Sequence, residues 1–216
     1  MLASNSPRRR QLFGLGNWEY TVTVPDINED PKVGEMPRDY VLRLAREKAL
    51  AVFPEEGSDL IVIGADTAVI DGVETLGKPN DEADAERMLK QLRGRVHQVY
   101  TGLAIRRVRD EKTIVELCVT DVPMRNYTDS EIQSYVRTGD PLDKAGAYAI
   151  QHPQFQPVES MQGCYASVMG LPLCHVVRAL RKLDVHPAAD VPAACQSLLN
   201  YECPVSQRIL RGDTAG

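Results

Sequence analysis

The sequence of 216 residues predicts a mixed α/β fold, and three observations support it. Residues 60–70 form a nearly continuous apolar run that is typical of a buried strand. Residues 96–108 and 114–124 are two long strand-like runs joined by a charged turn. Amphipathic helical segments alternate with these runs along the chain. The length fits one large domain or a domain with a subdomain, and 43% hydrophobic and 25% charged residues are ordinary for a globular protein.

The N-terminal segment reads as a short strand that leads directly into a helix. Residues 2–4 are predicted to form the strand, with Ser6 as N-cap and Pro7 as first helical residue. The helix carries Arg8 and Arg9 in its first turn. Residues 18–24 alternate well enough to predict a second strand, and the residues that follow up to Pro31 predict a loop.

The next helix is predicted to begin near Pro37, and its apolar stripe contains a lysine. The stripe consists of Val41, Leu44, Ala45, Ala49 and Val52. Lys48 falls in the middle of it. A lysine on a core-facing stripe usually extends its ammonium group to water, so only a nearby anion would give Lys48 a role inside the protein.

Asp66 interrupts the apolar run of residues 60–70, which ends at the hairpin signal Asp71-Gly72. Burying a carboxylate in a strand destabilises the fold by roughly several kcal/mol unless the group is paired, hydrogen-bonded or bound to a metal. We therefore expect a functional role for Asp66.

The second half of the chain continues the alternation. Asp81 is predicted to cap a helix that stops at Gly94, the two long strands pair antiparallel, and Thr128 caps another helix. A loop over 138–146 then leads to a predicted strand over 147–150 and a helix over 171–183. Residues 1–183 are expected to form one domain, and residues 184–216 a C-terminal extension that is partly helical or disordered, with a weak helix around 193–201.

Charge and cysteine content exclude several classes of protein. The formal net charge of −5 provides no general basic field for nucleic acid, and no run of residues is long and apolar enough for a membrane span. The five cysteines are odd in number and lack any CxxC pair, so packing thiols are expected rather than disulfides or a zinc site. Because no apolar signal core precedes the first charges, a cytoplasmic protein is expected.

Charged residues recur where turns and strand ends are predicted. The cations Arg8, Arg9, Lys78 and Lys144 are of the kind that holds a polyphosphate, especially at a helix N-terminus. The carboxylates Glu29 and Asp66 suit a magnesium ion, which prefers one or two carboxylates with phosphate oxygens and water. Taken singly, each signal is weak, because an arginine run is more often a solvated face.

Several short motifs together resemble the Maf family of nucleotide pyrophosphatases over roughly residues 2–183. They are Leu2-Ala3-Ser4-Asn5-Ser6-Pro7-Arg8-Arg9, Arg43-Leu44-Ala45-Arg46-Glu47-Lys48-Ala49, Gly64-Ala65-Asp66-Thr67, Gly77-Lys78-Pro79, Tyr100-Thr101-Gly102, Pro141-Leu142-Asp143-Lys144-Ala145-Gly146-Ala147-Tyr148 and Gly170-Leu171-Pro172-Leu173. Departures occur at Met124, at Ala149 and in residues 163–167, and they bear on the base pocket.

The resemblance implies a fold related to the inosine triphosphate pyrophosphatases, with a long twisted mixed sheet in two lobes around a central cleft. It implies hydrolysis of a nucleoside triphosphate to monophosphate and pyrophosphate, assisted by Mg²⁺, Mn²⁺ or Co²⁺. The catalytic residues would be Asp66, Lys48 and Glu29, and the metal ligands Asp66 and Glu29. The phosphate-binding residues would be Ser4, Arg8, Arg9, Lys78 and Lys144. A homodimer is also implied.

Within the family, Arg8, Thr67 and Gln151 resemble the residues of the branch that acts on dTTP and UTP. A glutamine amide can both donate to a carbonyl and accept from a ring N–H, as a uracil-type base requires. Two alternatives remain open on the sequence: a pyrophosphatase of the same fold for 7-methyl-GTP or other purine triphosphates, and a non-catalytic nucleotide-binding regulator of cell division.

Overall fold

A computed structural model describes residues 1–53, 55 and 57–213, in which one mixed sheet is flanked by helices on both faces. The strands are β1 (Leu2–Ala3), β2 (Val22–Thr23), β3 (Ile61–Asp71), β4 (Glu74–Leu76), β5 (Val96–Arg107) and β6 (Thr113–Pro123). Their order is β2-β1-β3-β5-β6, with β4 paired to β3. The parallel β1 pairings and the antiparallel pairings of the long strands make the sheet mixed, which confirms the predicted α/β class.

The helices include all those expected from capping signals. They are α1 (Pro7–Gly14), α2 (Pro37–Leu50), α3 (Glu82–Leu92), α4 (Asp129–Val136), α5 (Tyr165–Val168), α6 (Leu173–Arg181), α7 (Val191–Leu199) and α8 (Ser206–Arg211). Ser6, Asp81 and Thr128 each accept a backbone N–H of the first turn, as predicted. None of the helices that residues 1–53, 55 and 57–213 form has the length and apolarity to cross a membrane.

Strand β3 is the centre of the sheet and pairs with three strands, β1, β4 and β5. Its residues Ile61 to Ile70 run antiparallel to β5 along one edge. On the opposite edge, β1 pairs with Ile63 and Gly64, and β4 pairs with residues 69–71. Within the described part of the chain, residues 65–68 thus have no strand neighbour on that edge. The predicted functional aspartate lies in this gap.

Helix α2 packs directly on the backbone of the sheet at two glycines. A Cβ at Gly64 would stand 2.2 Å from the Ala45 carbonyl oxygen, and one at Gly102 would stand 2.4 Å from that of Val41. Only glycine therefore permits this separation between helix and sheet. The close approach brings the α2 lysine against the strand residue opposite Gly102, which is Asp66.

Two predicted strands do not form with their predicted extent. Only Val22 and Thr23 of residues 18–24 form a strand, because the neighbouring β1 offers just two residues for pairing. Trp18 instead stacks on Phe13, with ring centroids 4.7 Å apart. Residues 147–150 are not a strand either: Ala147 ends a 3₁₀ turn at a φ of 60°, and the run is buried as irregular chain.

The segment beyond residue 183 contains α7 and α8, which pack on the main core. Val191 and Ile209 are fully buried there. Arg178 of α6 ties the segment down by donating to the carbonyl oxygen of Ile209 at 3.0 Å, and it also pairs with Glu116 of β6. The five cysteines are free thiols, three of them buried, as the sequence predicts.

Candidate active site

A cleft of about 580 Å³ opens beside the unpaired edge of β3. Its walls come from β3, the start of α1, the 140–151 segment and the turn before α6. Every residue that the sequence singled out lies on its surface: Ser4, Arg8, Arg9, Glu29, Lys48, Asp66, Thr67, Lys78, Lys144 and Gln151. These residues are scattered over most of the chain, so the fold converges them on one place.

Lys48 joins the two predicted carboxylates. Its Nζ donates to Asp66 Oδ1 at 2.7 Å and lies 2.7 Å from Glu29 Oε1. The Lys48 and Asp66 side chains are each 9% exposed, whereas Glu29 is 57% exposed and reaches the pair from solvent. Lys48 therefore does not extend to bulk water, and the open question about its position in the apolar stripe is settled by its anionic partners.

The burial of this wall changes the ionisation of its charged groups. Desolvation raises the pKa of Asp66 above its ordinary value, although Lys48 and Arg9 act in the opposite direction. Desolvation also lowers the pKa of Arg9 from its ordinary value, while Asp66 opposes the shift. A cation bound beside Asp66 would offset the first cost, and an anion bound beside Arg9 would offset the second.

Arg9 is held at two points of its guanidinium group. Nε donates to the Gly170 carbonyl oxygen at 2.8 Å, and Nη2 donates to Thr67 Oγ1 at 3.1 Å. Gly170 has a φ of 108°, and a Cβ there would stand 3.1 Å from Arg9 Nε. The glycine thus permits the close approach, and the remaining N–H groups of the fork are left for an anion in the cleft.

The loop that carries Glu29 is fastened to α2. Tyr40 donates its hydroxyl to the Glu29 carbonyl oxygen at 2.9 Å, and Arg43 donates to that of Asp30 at 3.1 Å. Arg43 also forms a two-point pair with Glu35, at 2.6 and 2.8 Å. This pairing lowers the pKa of Glu35 to about 2. Helix α2 thus positions Lys48 directly and Glu29 through its loop.

The other predicted cations differ in their engagement. Lys144 Nζ donates to the Asp140 and Asp143 carboxylates at 2.9 and 2.6 Å, and to the Asp140 carbonyl at 2.5 Å, so its donors are occupied. In the described part of the chain, Arg8 and Lys78 make no side-chain hydrogen bond or ion pair, and both line the cleft. The cleft thus contains cations that a ligand can reach without displacing a partner.

A family model described as Maf-like protein matches residues 1–183. The chain belongs to the Maf family. This Maf chain is 45% identical over 183 residues to a dTTP/UTP pyrophosphatase of Geotalea uraniireducens, covering 85% of the chain and 94% of that protein. It is 46% identical over 183 residues to one of Geobacter sulfurreducens, covering 85% and 95%. It is 48% identical over 181 residues to one of Geobacter sp., covering 84% and 93%.

The donor set at Asp66 and Glu29 fits a divalent metal ion. Both carboxylate oxygens lie 2.7 Å from one ammonium nitrogen, so they are separated by no more than twice that distance. They converge on a cationic position at the rim of the cleft. Two carboxylates completed by phosphate oxygens and water are a set that Mg²⁺ accepts. The residues described contain no group of three or more His, Cys, Asp or Glu arranged to hold a metal on their own.

Sequence reasoning assigned no role to two residues at the cleft wall of this Maf protein, Thr101 behind the wall and Tyr148 on it. Thr101 is fully buried and accepts or donates a hydrogen bond with Thr67 at 3.0 Å. Tyr148 lines the cleft, and its hydroxyl lies 2.8 Å from Nε2 of the buried His97. Thr101 belongs to one of the family motifs, Tyr100-Thr101-Gly102. Its hydrogen-bond partners Thr67 and Ser167 are 34 and 66 positions away in the sequence, so no local sequence pattern could have predicted these contacts.

Proposed function

We propose that this protein hydrolyses nucleoside triphosphates, with dTTP and UTP preferred, to a nucleoside monophosphate and pyrophosphate. The observation that carries the proposal is the Lys48–Asp66–Glu29 cluster, which faces a cleft that also contains Arg8, Arg9 and Lys78. The match at 45–48% identity to proteins named dTTP/UTP pyrophosphatases supports the same reaction and the same bases.

The side chains divide between holding the substrate and promoting the attack. Arg8, Arg9 and Lys78 would neutralise the triphosphate, and Ser4, just after β1, would donate a hydrogen bond to it. Lys144 would join them by exchanging one of its aspartate partners for a phosphate oxygen. Phosphoryl transfer depends mainly on such positioning and charge neutralisation, and no covalent intermediate is required. Asp66 would orient a water molecule toward the α-phosphorus and accept its proton. Lys48 would keep Asp66 in place and would contact the transferring phosphate.

A divalent cation, Mg²⁺, Mn²⁺ or Co²⁺, would be held by Asp66 and Glu29 together with substrate oxygens, and it would supply charge neutralisation at the phosphates. Lys48 lies between these carboxylates, with its Nζ 2.7 Å from an oxygen of each. Glu29 would serve as a metal ligand alone, whereas Asp66 would also act on the water.

Base selection would fall to the exposed mouth of the cleft. Gln151 follows Tyr148, Ala149 and Ile150, which line the cleft as an apolar wall. Its amide can pair with one carbonyl and the ring N–H of a uracil-type base, and paired hydrogen bonds of this kind discriminate strongly. The enzyme would remove non-standard or excess pyrimidine nucleotides from the pool.

The test is a panel of dTTP, UTP, CTP, ATP, GTP, ITP and 7-methyl-GTP with magnesium or manganese, with both products quantified. Reaction in ¹⁸O-water identifies the phosphorus attacked: label in the monophosphate indicates the α-phosphorus, and label in pyrophosphate the β-phosphorus. We expect dTTP and UTP to react fastest and to place the label in the monophosphate. Nucleotide binding without turnover would instead support a regulatory role, and a purine preference would overturn the role of Gln151.

A further inference from the structure

Thr101 lies behind the cleft wall rather than on it. It is fully buried on β5, opposite Cys118 of β6, and it is not among the residues that line the cleft. Its hydroxyl has two neighbours: the Ser167 carbonyl oxygen at 2.9 Å and Thr67 Oγ1 at 3.0 Å. A buried hydroxyl that satisfies two groups at once fixes how each of them is oriented.

The direction of the hydrogen bonds in this chain can be derived. A carbonyl oxygen only accepts, so Thr101 must use its single hydroxyl proton on Ser167. Thr101 Oγ1 can then only accept from Thr67, whose own single proton is used in turn. Thr67 Oγ1 therefore presents acceptor lone pairs alone to Nη2 of Arg9, which lies 3.1 Å away.

Both ends of this hydrogen-bond chain return to the same segment. Arg9 Nε donates to the Gly170 carbonyl at 2.8 Å, and Thr101 donates to the Ser167 carbonyl, three residues earlier. The guanidinium plane is thus fixed by two bonds, one direct and one through the two threonines. A guanidinium group binds phosphate through the fixed geometry of its N–H groups as well as through its charge. An arginine whose guanidinium plane rotates freely therefore binds phosphate less tightly.

We infer that Thr101 is a positioning residue for Arg9: through Thr67 it sets the guanidinium plane that binds the triphosphate. A second consequence concerns Thr67 itself. Its hydroxyl proton is used toward Thr101, so Thr67 affects the substrate through Arg9 and does not donate to the nucleobase. The inference rests on the proposed function only in taking a triphosphate as the ligand.

The experiment compares Thr101→Val, which keeps the shape and removes the hydroxyl, with Thr101→Ser, which keeps the hydroxyl. Thr120→Val is the matched control, because Thr120 is equally buried on the adjacent strand and its nearest polar partner is the Cys118 thiol at 3.7 Å. Inorganic tripolyphosphate binding is measured by calorimetry, and kcat and KM are measured for dTTP. Each change is repeated in an Arg9→Met background.

We expect Thr101→Val to weaken tripolyphosphate binding and raise KM by about tenfold, the size of one charge-assisted hydrogen bond, with a much smaller change in kcat. Thr101→Ser and Thr120→Val should remain near wild type. In the Arg9→Met background, Thr101→Val should have no further effect, since coupled residues are not additive. Thr67→Val interrupts the same series of hydrogen bonds and should reproduce the effect. If Thr101→Val folds poorly, the Thr67→Val variant tests the inference in its place.

Full additivity with Arg9→Met would overturn the inference, as would a loss in Thr101→Ser equal to that in Thr101→Val. A wild-type protein that binds tripolyphosphate but hydrolyses no nucleotide would overturn the proposed reaction and leave the binding comparison to decide the role of Thr101.

Discussion

Lys48 and Asp66 form a buried ion pair across the junction of α2 and β3, with 2.7 Å between Nζ and Oδ1. Each side chain is 9% exposed, and the junction is tight because glycines lie beneath the helix. A buried pair of this kind stabilises the fold little on balance, but the loss of one partner leaves the other charge uncompensated. The pair therefore links the stability of the fold to the charges in the cleft.

Replacing Lys48 with methionine should lower both stability and turnover. Asp66 would lose its main partner at a buried site, which costs about 3 kcal/mol of unfolding free energy, and we expect kcat to fall by about tenfold or more. Urea denaturation and steady-state kinetics measure the two effects. Lys90→Met is the control, because Lys90 makes only an exposed helical pair with Glu86 at 3.4 Å. Adding Asp66→Asn to Lys48→Met should recover stability without activity.

Asp66→Asn should abolish most turnover while nucleotide binding is retained. The amide keeps the shape and can still contact Lys48 through its oxygen, but it cannot accept a proton from water. Rapid-quench analysis of products and calorimetric titration with dTTP separate the two effects. Near wild-type turnover with saturating metal would contradict the assigned role of Asp66.

Arg9→Lys should weaken tripolyphosphate binding by about tenfold, although the charge is kept. Lysine cannot donate to both Gly170 and Thr67 in the fixed geometry of a fork, and such exchanges at two-point sites are not conservative. Arg10→Lys is the matched control, since Arg10 bonds Asn5 at the surface. Equal losses in the two variants would show that the orientation of Arg9 is unimportant.

Gly64→Ala should destabilise the protein by about 2 kcal/mol, as overpacking of a close helix–sheet contact does. The new methyl group would meet the Ala45 carbonyl oxygen at 2.2 Å and the Ala49 nitrogen at 2.8 Å, both of them backbone atoms of α2. Thermal unfolding measures the change. At Gly77 a Cβ would meet nothing within 4 Å, so Gly77→Ala should keep the wild-type melting temperature.

His97 should make stability fall in mild acid. Burial lowers its pKa from 6.5 to about 4, so the folded protein keeps His97 neutral where the unfolded chain takes up a proton. Its contribution is complete above pH 6.5 and is lost as the pH falls toward 4; the shift corresponds to about 3 kcal/mol. Denaturation of His97→Gln should depend less on pH over this range, whereas His186→Gln, a change at an exposed position, should follow the wild type.

Local sequence signals were sufficient to predict the central strand, its hairpin turn and three helix N-termini. The buried strand around Asp66, the hairpin at Asp71-Gly72 and the caps Ser6, Asp81 and Thr128 depend on residues a few positions apart, and the structure has all of them. Most of the cleft residues were identified through the family motifs. These motifs lie far apart in the sequence, and no single segment indicates that the fold brings them together.

The errors arose where distant partners decide the conformation. Residues 18–24 alternate like a strand, but β1 is too short to pair with more than two of them. The buried residues 147–150 read as a strand, but Gly146 and Ala147 both have positive φ and bend the chain into a turn. The hydrogen-bond chain from Thr101 to Arg9 is likewise a product of tertiary contact.

Tyr201 belongs to the segment beyond the family match, yet its hydroxyl donates to the Gly163 carbonyl at 2.9 Å, just before the turn that carries Ser167 and Gly170. The packed core therefore includes residues beyond the region that the family model matches. In a denaturation experiment, probes placed in α7 and in β3 should report one common transition. A protein shortened at residue 183 would lose the support behind Gly163 as well as the cover over the core.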